Sequence, residues 1–147
     1  MKKFHFSLEK ILSYTNQVLE NQQNELQIIL NRLDAIETQL KELDKEYTQT
    51  NKRLLETYQA EITAKEVISF KNYLSEIDKK MRVTEEKKQS VKSLLQKKQE
   101  TIKKTKIEIA TYEKLKEKQF AQYNIEERKE QEVFIEEFVN HSSINSS

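Results

Sequence analysis

No glycine and no proline occur anywhere in the 147 residues. An average chain carries about 7% Gly and about 5% Pro. Without glycine there is no ready residue for positive φ, which excludes glycine-rich phosphate loops and most tight turns. Without proline the chain lacks the residue that stops helices and pre-sets turns. Cysteine is absent too, which excludes disulfides and thiolate metal sites. No apolar run approaches the roughly 20 residues of a membrane span. Hydrophobic residues make up 35% of the chain, below the about 45–50% of a globular domain, so a multilayered core is not expected.

What remains is a vocabulary for helices. Charged residues supply 35% of the chain, with 26 basic against 25 acidic side chains. Such a balance does not favour a dedicated nucleic-acid binder. High charge also fits disorder, but the leucine spacing and 12 aromatic residues, six Tyr and six Phe, argue for folded helices. The opening Met-Lys-Lys-Phe-His-Phe resembles the charged start of an export signal, but Glu9 and Lys10 interrupt any apolar stretch. The expected location is the cytoplasm.

Leu12, Leu19, Leu26, Leu33, Leu40, Tyr47 and Leu54 recur at one heptad position. Leu8, Thr15, Gln22, Ile29, Ile36, Leu43 and Thr50 occupy the other, with a polar patch at Thr15 and Gln22. This a/d pattern predicts a long amphipathic helix over about 8–58 that meets a partner helix. Ser7 is the expected N-cap, with Phe6 and Ile11 as a hydrophobic staple. Phe4, Phe6 and Leu8 form an apolar cluster at the start. It has two readings, packing at the helix end or an anchor for a partner.

After Leu54 the phase slips. Thr63-Ala64-Lys65-Glu66 then forms a capping box, flanked by Ile62 and Val67 as a staple. A turn is therefore expected at about 58–63, although no C-cap glycine marks it. One uninterrupted helix is the alternative. The second helix, about 64–138, carries a thinner seam. One position reads Phe70, Ile77, Thr84, Val91, Lys98, Thr105, Tyr112. The other reads Leu74, Met81, Lys88, Leu95, Ile102, Ile109, Lys116, Tyr123.

A short turn makes the helices antiparallel and sets residues 79–106 opposite roughly 16–43. Residues 79–106 hold 11 basic and 3 acidic side chains; residues 20–46 hold 7 acidic and 3 basic. Opposite signs favour a hairpin over a parallel homodimer. The lysine run also admits a nucleic-acid or membrane reading, though it lacks interleaved aromatics and an arginine bias. The expected fold is thus all-α: a long antiparallel two-helix coiled-coil hairpin forming one domain over 1–140, with a helix-two overhang and a short disordered tail at 141–147. The overhang, beyond about residue 118, contains Phe120, Tyr123, Ile125, Val133, Phe134, Ile135, Phe138 and Val139. Either it docks in a partner's groove, or it folds against Phe4 and Phe6 or frays.

Catalytic chemistry is not expected. The two histidines, His5 and His141, sit near opposite ends, and pairs such as Glu85/Glu86 and Glu136/Glu137 lie on solvated faces. No cofactor and no metal is called for.

Three segments carry a resemblance. They are Phe4-His5-Phe6-Ser7-Leu8-Glu9-Lys10-Ile11-Leu12, Phe70-Lys71-Asn72-Tyr73-Leu74-Ser75-Glu76-Ile77, and Glu113-Lys114-Leu115-Lys116-Glu117-Lys118 followed by Glu130-Gln131-Glu132-Val133-Phe134-Ile135-Glu136-Glu137-Phe138. In this order they resemble the FliJ family, the small coiled-coil component of the bacterial flagellar type III export apparatus. The resemblance implies an antiparallel two-helix coiled coil like the central stalk of rotary ATPases. Its two-terminus end would enter the ring of the flagellar export ATPase and promote ring assembly and ATP hydrolysis. The region towards the turn would contact the membrane export gate, and export chaperones would be further partners. The matching gate positions are Gln39, Leu43, Tyr47, Tyr73 and Ile77. Leu43, Tyr47 and Ile77 also fall on the seam, so packing the hairpin is their other reading.

Phe4, Phe6, Leu8, Phe120, Tyr123, Phe134 and Phe138 form the hypothesised ATPase-binding set, motivated by apolar surface left unpaired on a polar chain. The implied protein is cytoplasmic and peripherally associated with the inner-membrane export apparatus, with no membrane insertion and no nucleic-acid partner. A stalk protein of a virulence-type secretion system and a generic coiled-coil scaffold are the alternatives.

Overall fold

The computed structural model describes residues 2–146, with side chains through Ser143. Two helices make up the fold: α1, Glu9–Tyr58, and α2, Ala64–Ser146. Among the described residues there is no strand. Contacts gather into two compact units, residues 22–101 and residues 1–21 with 102–147.

The unit of residues 22–101 contains the turn and is an antiparallel helical hairpin. Its cross-helix bonds widen in sequence from Tyr73–Glu46, 27 residues apart, to Lys98–Glu25, 73 apart. The buried apolar side chains are Ile36, Leu43, Leu54, Leu74, Ile77 and Val91, all of them on the heptad positions of the two seams. Thr50 and Thr84 are buried with them. The Thr84 hydroxyl donates to the Lys80 carbonyl one turn back at 2.7 Å, so it enters the seam already satisfied. Lys88 and Lys98 occupy seam positions and reach out to Glu37 and Glu25 on α1. Their stems cover apolar surface while the ammonium groups meet a carboxylate at the edge.

The turn closes without glycine. The last turn of α1 tightens into i→i+3 bonds, Gln59 N–H to Glu56 C=O at 3.3 Å and Ala60 N–H to Thr57 C=O at 3.0 Å. No described residue has positive φ. Thr63 then caps α2, its hydroxyl accepting from the Glu66 N–H at 3.2 Å. Ile62 and Val67 are half-buried on either side of this cap.

The unit of residues 1–21 and 102–147 pairs the start of α1 with α2 and adds a non-helical arm, residues 2–8. Phe6, Leu12 and Ile109 form its core, with Phe4, Leu8, Leu19, Tyr112 and Leu115 packed around them. Two expectations change here. Helix α1 starts at Glu9, and Phe6 packs on Leu12 and Ile109 while Ile11 stays exposed, so the Phe6–Ile11 staple is replaced. Burial of Phe6 against α2 fixes the entry, and the Glu9 N–H bonds to the Phe6 carbonyl at 3.1 Å. The tail also differs: α2 stays helical through Ser146, where residues 141–147 were expected to be disordered. With no glycine or proline, nothing local ends the hydrogen-bond ladder. Ser147 lies outside the described residues.

Candidate interaction surfaces

Of the residues expected near the gate, all five lie in the unit of residues 22–101. Leu43 and Ile77 are core residues, 8% and 2% exposed. Gln39, Tyr47 and Tyr73 are exposed. Tyr73 spans the hairpin, its hydroxyl donating to the Glu46 carboxylate. That hydrogen bond raises the Tyr73 pKa above its ordinary value, assisted by partial desolvation and the Glu46 charge, while Arg53 opposes the shift. Gln39 and Glu46 are one heptad apart, so they share a side of α1. The five positions therefore divide into a surface set of Gln39, Tyr47 and Tyr73 and a supporting pair beneath. Glu46 was not picked out from sequence; only its bond to Tyr73 marks it.

The ATPase-binding set also divides. Phe4, Phe6, Leu8, Phe120 and Tyr123 come together in the unit of residues 1–21 and 102–147. The Phe4 ring meets Phe120 edge-on at 5.1 Å and Tyr123 at 5.5 Å. The Tyr123 hydroxyl donates to the Lys2 carbonyl at 2.7 Å. This is the folded-back arrangement, and it draws on Tyr112 and Leu115 as well. Burial, then the Glu108 hydrogen bond, raises the Tyr112 pKa. Lys116 bridges to Glu9 at 2.8 Å beside the cluster.

Phe134 and Phe138 stand apart from that cluster, 69% and 64% exposed. Phe120 and Phe138 are 18 residues apart, five turns at about 3.6 residues per turn, so they project from one side of α2. Phe134 lies on the same stripe, and Glu127, Glu130, Gln131, Phe134 and Ile135 line an open depression there. Val133, Ile135 and Val139 are exposed as well. The stripe that packs under the arm at Phe120 and Tyr123 thus runs on without cover.

Among the described residues no helix is long and apolar enough to cross a membrane, and no group of His, Cys, Asp or Glu is placed to hold a metal ion. No curated protein and no solved structure is a significant match. The family described as Flagellar FliJ protein matches residues 4–146. That span takes in the arm from Phe4 onward, both helices, the turn and the exposed stripe, and with it the chain belongs to the FliJ family of the flagellar export apparatus.

Proposed function

We propose that this chain is the coupling component between the flagellar export ATPase and the export gate. The unit of residues 1–21 and 102–147 docks in the ATPase ring and promotes its assembly and ATP hydrolysis. Gln39, Tyr47 and Tyr73 contact the gate, with Leu43 and Ile77 holding that surface from the core. Export chaperones are further partners, and the protein works in the cytoplasm at the inner-membrane apparatus without entering the bilayer.

The observation that carries the docking is the pair of large phenylalanines, Phe134 and Phe138, exposed on an otherwise charged helix. An aromatic stripe in water contributes nothing to the hairpin, whereas helix-in-groove docking would bury it. A buried aromatic anchor at the centre of an interface can account for about 2 kcal/mol or more. Phe134→Glu with Phe138→Glu is therefore expected to abolish ATPase binding and stimulation of ATP hydrolysis while the helices persist by circular dichroism. Unchanged binding would refute the docking assignment. The family match favours the flagellar apparatus over a virulence-type system. Seam residues of both helices, among them Leu12, Ile36, Leu43, Ile77, Val91 and Ile109, are buried within the chain, which argues against a generic parallel homodimer.

A further inference from the structure

The arm supplies an internal example of what the α2 stripe accepts. It is short, non-helical and basic, with Lys2 and Lys3 preceding Phe4, His5 and Phe6. Its phenylalanines seat on α2 while Lys2, Lys3 and His5 line a groove with Gln119, Tyr123 and Glu126. Beyond Tyr123 the stripe continues to Phe134 and Phe138 and turns strongly acidic. Residues 126–139 hold six glutamates, Glu126, Glu127, Glu130, Glu132, Glu136 and Glu137, against Arg128 and Lys129.

The charge selects among occupants. A second copy would set this acidic stretch against itself, and like charges at close range are disfavoured. Anionic lipid or nucleic acid would be repelled for the same reason. A basic segment bearing large apolar side chains meets both requirements, as the arm does about three turns before Phe134 on the same stripe.

We infer that the stripe from Glu127 to Val139 receives a basic segment with large apolar side chains, the chemistry of the chain's own arm. The inference rests on the ATPase-docking reading, and it assigns that segment to the rim of the ATPase docking groove. Phe134 and Phe138 then hold the complex together, and the glutamates steer its formation.

The test is the association rate of the full chain with the cognate export ATPase, between about 50 and about 300 mM NaCl. A steered encounter predicts a rate that falls about tenfold across this range. The variant Glu127→Gln/Glu132→Gln/Glu136→Gln/Glu137→Gln should associate about tenfold more slowly at low salt and lose most of the salt dependence, with dissociation little changed. Phe134→Ala with Phe138→Ala should instead speed dissociation. A wild-type rate that is flat or rises with salt overturns the inference and leaves the docking reading standing. So does a quadruple variant that associates like wild type. Self-association of the chain at low salt through this stripe, or binding to phosphatidylserine vesicles, would also overturn it. Failure of the wild-type chain to bind the ATPase at any salt removes the docking reading and this inference together.

Discussion

Tyr73 and Glu46 tie the two helices of the hairpin together at the surface, and their bond has a pH signature. The neutral phenol donates to the carboxylate, so the folded state holds the proton more tightly than the unfolded chain does. The raised folded pKa means that the stabilisation is fully present below the ordinary tyrosine pKa of about 10. It is lost as pH rises through the folded value. Thermal melts of wild type and Tyr73→Phe should therefore differ at neutral pH and converge in the alkaline range. An absorbance titration should lose a late-ionising phenol in the variant. A melting difference that persists unchanged above the tyrosine range would count against the bond. Nearby, Leu43 and Ile77 illustrate what residue type alone leaves open. Their heptad positions marked them for the seam and their resemblance marked them for the gate; burial decides that any gate contact is made through their neighbours.

At the scale of the element, seam lysines are the informative exception to an apolar a/d pattern. Lys88, Lys98 and Lys116 each pair with a glutamate of α1, respectively Glu37, Glu25 and Glu9. The charge asymmetry between the helices was legible in the sequence because a sum over many residues survives local detail. The individual partners were not, since they depend on register. A double-mutant cycle on Glu25→Gln and Lys98→Met should give a coupling of about 0.2–1 kcal/mol that shrinks with salt, as for other partly exposed pairs. Zero coupling at low salt would show that the pair does not fix register. The leucine run and the Thr63 cap were also readable, because each is a local pattern with one structural solution. The arm was readable only as one of two alternatives, folding of Phe4 and Phe6 against the overhang: a non-helical segment has no periodicity to decide between them, and its fit to Phe120 and Tyr123 arises only once α1 and α2 are paired. The same limit applies to the end of α2, where disorder was expected of a chain terminus although no glycine or proline there terminates a helix.

For the molecule as a whole, each helix spans two units whose cores are separate lists of residues. One is centred on Leu43, Ile77 and Val91, the other on Phe6, Leu12 and Ile109. Polar seam residues interrupt the apolar stripe in each unit, Thr84 in one and Thr15 and Thr105 in the other. Stability is therefore expected to be distributed unevenly along both helices. Phe6→Ala tests this directly. It removes a buried aromatic side chain, a change that costs about 3–5 kcal/mol in a packed core. Amide exchange should accelerate in residues 9–21 and 102–123, which share the Phe6 cluster. Protection around Leu43, Leu74, Ile77 and Val91 should stay near wild type, because no residue of that cluster packs against them. Equal acceleration in both regions would mean that the chain opens as one cooperative block. Confinement to the first would mean that the arm and its phenylalanines govern the stability of the unit of residues 1–21 and 102–147 independently of the hairpin around the turn.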